Sequence, residues 1–235
     1  MKVNLQSEFE ILLFAAVPGW FPFGVELTEK NQMIVMPKLT LDDVPRALCS
    51  FDQPSRIISE KDTGVHFFVH DRKFRNVIVN PQTYVGKFMN LGAILTPDLT
   101  LTVEMPRWVR IQRTHLSRCV GTYFLSRQLN VIPTLRWVEL SDLDFVAEGI
   151  PQESVFAVGA YGNSRDPQSR SIFENGLIEL IDILNPVGVM IYGPIRDEVA
   201  VRLAKKTKLF KFCHPMTDKN QHLNRQESHN GLFVA

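Results

Sequence analysis

The chain has 235 residues, of which 45% are hydrophobic and 22% charged, and its formal net charge is +1. This length suits one substantial domain. The near-neutral charge argues against a dedicated nucleic-acid-binding domain, which usually carries a strong basic excess. No apolar run approaches the roughly 20 residues that a transmembrane helix needs. Cys49, Cys119 and Cys213 are far apart and form no paired motif, which argues against a zinc knuckle or a disulfide framework and favours a reducing cytoplasm.

Both ends of the chain differ in composition from its middle. Residues 1–32 mix aromatic side chains with prolines and glycines and are predicted to form an irregular segment that packs on the core. Residues 214–235 are polar and are predicted to form a weakly ordered tail, which leaves residues 33–213 as a single domain. Within it, residues 33–36 predict a buried strand. Residues 42–48 predict a short helix in which Pro45 allows only the first turn to be regular.

Apolar runs then alternate with segments of helical periodicity. Further strands are predicted at residues 65–70, 93–96, 131–135, 155–160, 187–192 and 209–212, with residues 56–58 as an eighth candidate. Helices are predicted at residues 80–90, 106–129, 141–149, 166–184 and 197–206. This alternation is typical of an α/β protein with a mostly parallel sheet. Seven or eight strands, without a glycine-rich dinucleotide turn, favour a compact or irregular TIM-like barrel; an open doubly wound sheet is the alternative.

The helix predicted from Pro106 to about residue 129 is the longest element. Its apolar stripe is predicted to include Trp108 and to pack on the sheet. On roughly the opposite side the sequence places four arginines, which we expect to face outward: Arg107, Arg110, Arg113 and Arg118. Such a row is either a solvated face or a stripe that tracks phosphates, because arginine pairs bidentately with phosphate. A second basic cluster comprises Arg202, Lys205, Lys206 and Lys208.

Polar residues at the predicted strand ends mark a candidate site, because ligands of parallel α/β folds bind beyond the carboxyl ends of the strands. Asp71 and Asp98 follow two strands that would lie about 4.8 Å apart if they were neighbours. With Arg136 nearby, these carboxylates could hold Mg²⁺ against a phosphate or act as an acid/base pair. The structural alternative is that Asp71 caps a helix and Asp98 forms a turn after its proline.

Trp137, Asn163 and Tyr192 also follow predicted strands and are candidate ligand-binding residues. Trp137 would offer a stacking surface for a base or a sugar, although a role in the core is the more common one for a tryptophan. His66 and His70 share a strand face but are roughly 13 Å apart along it, which is too far to chelate one ion.

The segment 51–193 resembles a domain-of-unknown-function family that is common in bacteriophages, prophages and other mobile elements. The resemblance rests on these residues: Val65-His66-Phe67-Phe68 with Asp71 and Phe74, Asn80-Pro81 with Tyr84, Thr96-Pro97-Asp98, Met105-Pro106, Gly121 with Tyr123, Asn130-Val131-Ile132-Pro133-Thr134 with Trp137, Glu148-Gly149-Ile150-Pro151 and Ile191-Tyr192-Gly193. The chain departs from the family pattern at His70-Asp71, Thr96-Pro97-Asp98-Leu99-Thr100 and Tyr123-Phe124-Leu125. The resemblance implies a phage or mobile-element setting and supplies no activity.

Three functional hypotheses follow. The first is an accessory protein of a phage or mobile element that acts by binding a host, defence or replication partner. The second is an enzyme or ligand binder whose rim of Asp71, Asp98 and Arg136 acts on a phosphorylated or nucleotide substrate, with Mg²⁺ as a candidate cofactor. The third is a nucleic-acid binder that uses the arginine-rich helix face. No motif for a catalytic serine, a Walker lysine or a zinc protease is present.

Overall fold

The computed structural model describes residues 25–57, 59–163 and 166–213. The predictions for residues 1–24, for Ile58 and for the tail from residue 214 lie outside this range. The eighth strand candidate at residues 56–58 is wrong for its described part, because Arg56 belongs to a 3₁₀ turn (Pro54–Arg56) and Ile57 follows that turn as its cap. None of the helices in the described ranges has the length and apolar character that crossing a bilayer requires.

In the part of the chain that the structure describes, seven strands form two parallel sheets. They are β1 (Ala47–Ser50), β2 (Thr63–His66), β3 (Ala93–Leu95), β4 (Val131–Ile132), β5 (Val155–Gly159), β6 (Gly188–Tyr192) and β7 (Lys208–Phe212). The first sheet has the order β1-β2-β3-β4 and the second has the order β5-β6-β7. A single parallel bridge between Thr134 and Ala157 joins them. The predicted α/β class with a parallel sheet is confirmed.

The strands do not close into a barrel, so that part of the prediction is wrong. β1 and β7, the first and last strands, are each hydrogen-bonded to one neighbour only within the described residues. In being open, the arrangement agrees with the alternative prediction of an open doubly wound sheet. The strand order follows the chain without reversal, from β1 to β7.

The open sheet is strongly curled. The rings of His66 on β2 and Tyr192 on β6 lie with their centroids 4.1 Å apart. These strands stand four positions apart in the order, which would separate them by roughly 19 Å in a flat sheet with strands about 4.8 Å apart. The concave face therefore brings distant strands into contact at their carboxyl ends.

Helices cover the convex face. They are α1 (Asp71–Val79), α2 (Val85–Phe88), α3 (Arg107–Leu125), α4 (Leu143–Val146), α5 (Pro167–Leu184) and α6 (Asp197–Ala204). The larger apolar core holds most of the buried apolar helix residues, such as Phe74, Phe124 and Leu177. A smaller core, which includes Leu95, Ile132, Ala157 and Met190, fills the concave face with no helical residue.

Local sequence explains where the two longest helices begin. Pro106 precedes α3, at a position where the N–H of a helix has no internal partner. The side chain of Asp166 accepts a hydrogen bond from the Ser169 N–H at 2.7 Å, and Pro167 occupies the first position of α5. The predicted start and end of α5 are confirmed.

Two predictions near the start of the domain are wrong. Met33, Ile34 and Met36 are buried, but among the described residues this segment pairs through just one isolated antiparallel bridge, between Leu27 and Ile34. The first strand is instead β1, in a region predicted to be helical. A 3₁₀ turn spans Leu41–Asp43, Pro45 prevents its continuation, and residues 47–50 then pair with β2.

Candidate functional site

A cavity of about 540 Å³ lies at the carboxyl ends of the strands. Its lining comes from both sheets: Phe68, Val69, His70, Asp98, Thr100, Arg136, Gly159, Tyr161, Gly162 and Tyr192. The loops that follow β2, β3, β4, β5 and β6 therefore converge on one space, as expected for a parallel α/β fold. The volume is in the range of about 300–1,000 Å³ that small-ligand sites occupy.

Asp98 and Arg136 form an ion pair in this cavity. Nη1 of Arg136 donates to Oδ2 of Asp98 at 2.7 Å. The Asp98 side chain is 8% exposed, whereas that of Arg136 is 29% exposed. Burial raises the pKa of the Asp98 carboxyl above its usual range; Arg136 opposes the shift and the charge of Asp71 adds to it. The guanidinium thus retains a solvent-facing side, and the carboxyl binds a proton more readily than an exposed aspartate.

Asp71 lies close enough for its charge to raise the pKa of the Asp98 carboxyl, but it has hydrogen-bond partners of its own. It is the first residue of α1, and it accepts hydrogen bonds from Arg113 on α3 and from Oγ1 of Thr100 at 2.8 Å. The Thr100 N–H points to the same carboxylate at 3.2 Å. The structure therefore brings Asp71, Asp98 and Arg136 to one rim. Asp71 holds the loop that carries Asp98.

Aromatic rings form one wall of the cavity. Phe68 and Tyr192 are stacked with centroids 5.2 Å apart and an interplanar angle of 13°, and Tyr161 meets Tyr192 edge-on. A Cβ on Gly159 would lie 2.6 Å from the Phe68 ring, so only glycine lets this ring rest on β5. Burial raises the pKa of the Tyr192 phenol, with Tyr161 contributing, which keeps it neutral.

A second cavity of about 470 Å³ adjoins the first and shares Thr100, Arg136 and Gly162 with it. Trp137 and Asn163 line this second space. Trp137 is buried, stacks on Phe173 at 5.3 Å and donates from Nε1 to the Ile172 carbonyl at 3.2 Å. Of the three predicted ligand-binding residues, only Tyr192 lines the same cavity as Asp98.

The prediction that the four arginines of α3 face outward is confirmed for Arg107 and wrong for the other three. Arg110, Arg113 and Arg118 are buried, and only Arg107 is partly exposed. Conversely, Trp108 was predicted to face the core and is 61% exposed. Arg110 and Arg118 are buried because a second layer, residues 138–149, covers their side of α3, whereas Arg113 pairs with Asp71 of α1.

Each of these arginines has a partner within the protein. Arg110 donates from Nε to Asp142 at 3.0 Å and from Nη2 to Glu139 at 2.5 Å. Arg118 donates to the carbonyls of Val146 and Glu148 and is 2% exposed. Burial lowers the pKa of Arg118 to about 10. These side chains are structural and are not available to phosphates.

Within residues 25–57, 59–163 and 166–213, no group of three His, Cys, Asp or Glu side chains is placed to hold an ion. Asp71 and Asp98 are each engaged by an arginine. The residues at this rim therefore do not fit the Mg²⁺ ion that the sequence suggested as a candidate cofactor.

Residues 28–212 match the model of a family described as domain of unknown function DUF4417. The chain belongs to this family. Two curated relatives of this DUF4417 protein are each named Gene 1 protein. That of Mycobacterium phage L5 is 33% identical over 184 residues, which is 76% of this chain and 80% of the relative. That of Mycobacterium phage D29 is 31% identical over 155 residues, which is 65% of this chain and 57% of the relative. The resemblance to a phage family is confirmed.

No solved structure matches this DUF4417 chain. The family description and the relatives' names give no activity, so the case for a function rests on the geometry of the site.

Proposed function

We propose that the protein binds a small ligand that combines an anionic group with a planar ring, and that Arg136 and the aromatic wall of the first cavity hold these two parts. The observation that carries the proposal is the placement of Arg136. Its guanidinium borders both cavities, is partly exposed and contacts a carboxyl whose proton affinity is raised. A phosphate or carboxylate would take the solvent-facing side of the guanidinium.

The surroundings of Arg136 support this ligand class. Phe68, Tyr161 and Tyr192 offer faces and edges on which a ring could stack. When an anion approaches Arg136, uptake of a proton by Asp98 would relieve the repulsion between the two negative groups. Asp98 would also be positioned to exchange a proton with a bound substrate, which is the enzymatic form of the same proposal.

Thermal melting with a matched ligand series tests the proposal. Nucleoside monophosphates, the corresponding nucleosides and inorganic phosphate separate the ring from the anion. A ligand at 100 times its Kd stabilises the native state by about 2.7 kcal/mol, which is a readily measured shift in Tm. We expect the monophosphates to give the largest shift, and Arg136→Met to abolish it. Arg46→Met changes an arginine that is far more exposed and serves as the control.

The proton affinity of Asp98 gives a second readout. If Asp98 takes up a proton on binding, affinity for the monophosphate falls as the pH rises through the raised pKa, and Asp98→Asn flattens this dependence. No shift in Tm with any member of the series, or a shift that Arg136→Met leaves intact, would refute the proposal.

A second candidate is an accessory role through a host, defence or replication protein. It is favoured by Trp108 and Val103, which are 61% and 56% exposed in the first turn of α3 and in the loop before it. Exposed aromatic residues often anchor protein interfaces.

Photo-crosslinking in phage-infected cells tests this second role. A photoreactive residue at position 108 should give a discrete adduct, whereas one at Met89, which is 64% exposed elsewhere on the surface, should not. Equal labelling at both positions would mean that position 108 is ordinary surface.

A further inference from the structure

A groove of about 1120 Å³ lies at the opposite end of the sheet, where the strands begin. It runs between residues 38–42 before β1, residues 185–187 before β6 and residues 204–208 between α6 and β7. Its volume exceeds the range of about 300–1,000 Å³ that is usual for small-ligand sites. It shares no lining residue with the two cavities at the carboxyl ends.

Aliphatic side chains line one part of this groove. Leu41 and Val187 are 38% and 36% exposed, and Leu39 and Pro186 lie beside them. Exposed leucine and valine side chains in one groove gain free energy when an apolar partner covers them, at roughly 25 cal/mol per Å². None of the residues that line the groove is aromatic.

Lysines surround the aliphatic part. Lys38, Lys205, Lys206 and Lys208 line the groove, and Asp42 and Glu153 are the acidic residues beside them. Lys38 pairs with Glu153 at 2.9 Å, and Lys206 pairs with Asp182. Lys205 and Lys208 are exposed and have no carboxylate partner among the residues that the structure describes. In a chain of net charge +1, this is a local concentration of positive charge.

We propose that the groove binds an acidic amphipathic segment of a partner protein. The apolar side chains of this segment pack on Leu41 and Val187, and its carboxylates face Lys205 and Lys208. Charge complementarity selects the acidic partner and steers its approach. The aliphatic lining selects a protein over a nucleic acid. Bases gain most of their binding energy by stacking on aromatic rings, and the groove offers none, so a nucleic acid would leave its apolar part uncovered.

Fluorescence anisotropy with defined probes tests the proposal. The probe is a labelled peptide of about 16 residues, with leucines on one helical face and glutamates on the other. We expect saturable binding that weakens with salt. In the double variant Lys205→Glu/Lys208→Glu we expect the affinity for the peptide to fall at least about tenfold, because like charges then face each other. Val187→Asp should weaken the same peptide, since it places a charge in the apolar part.

Three controls fix the interpretation. Lys61→Glu/Lys87→Glu makes the same change of charge at exposed lysines outside the groove and should leave the affinity nearly unchanged. A glutamate-rich peptide of equal charge without leucines should bind at least about tenfold more weakly. A single-stranded DNA of similar length reports on a nucleic-acid surface.

Two results would overturn the proposal: DNA binding tighter than the peptide, or peptide binding that is absent or insensitive to the groove variants. Because the cavity ligands play no part in this assay, its failure leaves the proposal for Arg136 untouched.

Discussion

The two long helices, α3 and α5, have similar lengths but bury different chemistry. α5 packs Phe173, Leu177 and Leu180 against the sheet, buries one charged residue, Glu174, which pairs with Arg196, and leaves most of its other side in water. α3 also packs an apolar stripe on the sheet, but its far side is covered by residues 138–149, and Arg110 and Arg118 are buried there. The comparison shows that a charged helix face opposite an apolar stripe can be a second interface rather than a solvated surface.

The largest effect is expected at Asp142, which is fully buried between the two layers. Its carboxylate binds Arg110 and accepts hydrogen bonds from the N–H groups of Val138 and Glu139, each at 3.2 Å. Asp142→Ala leaves a buried arginine without this partner and should lower the free energy of unfolding by about 3–5 kcal/mol. Urea denaturation measures this loss. The double variant Arg110→Met/Asp142→Leu should recover part of it, because well-packed apolar residues can replace a buried ion pair.

In α5, Leu177→Ala should lower the free energy of unfolding by about 2–4 kcal/mol, because it leaves a cavity in the larger core. The loss should not vary between pH 4 and pH 8, since no titratable group is removed. Denaturation at both pH values provides the measurement. If Leu177→Ala lowered the free energy of unfolding by clearly more than Asp142→Ala, the apolar packing of α5 would contribute more to stability than the buried ion pair of α3.

The smallest effect is expected at Asp144, which pairs with Arg107 at the exposed edge of the contact between α3 and residues 138–149. Partial burial would raise the pKa of Asp144, but hydrogen bonds from Arg107 and Lys30 outweigh this and hold it below its usual range. An aspartate with a lowered pKa adds stability above its ordinary pKa of about 3.9, and this stability is lost as the pH falls through the lowered value. Asp144→Asn should therefore cost less than about 1 kcal/mol at pH 7, as exposed pairs usually do, and progressively less as the pH falls through the lowered pKa of Asp144.

A set of melting curves for the Asp144→Asn variant and the unmodified chain checks this sign. If the difference in Tm grew on acidification, the direction of the pKa shift would be wrong. The difference in Tm between Arg107→Ala and the unmodified chain should shrink on acidification but not vanish, because Arg107 also donates to the Ser141 carbonyl at 2.9 Å and lies over the Phe145 ring, and neither contact titrates.

The strand and helix pattern was largely predictable, since β2 to β7 and α5 follow from apolar runs, caps and prolines. The rim of Asp71, Asp98 and Arg136 was predictable too, because parallel strands end on one side of a sheet. The burial of Arg110 and Arg118 was not predictable from helix periodicity, which shows that two faces differ but not what covers each. β1 was missed because a strand of four residues, of which Cys49 alone is buried, carries little signal without its partner strand. The groove at the strand starts depends on segments that meet only in three dimensions.

The curling of the sheet has a consequence for how the protein is assembled. The contact between His66 and Tyr192 joins residues that are half the chain apart, and so does the stacking of Phe68 on Tyr192. Closing such a long loop is entropically unfavourable until the intervening strands have paired. The aromatic wall should therefore form after both sheets have docked, and neither half of the chain alone should contain this cavity. A split version of this chain should regain the cavity only on association of its fragments, so that binding of the proposed ligand would report complete folding.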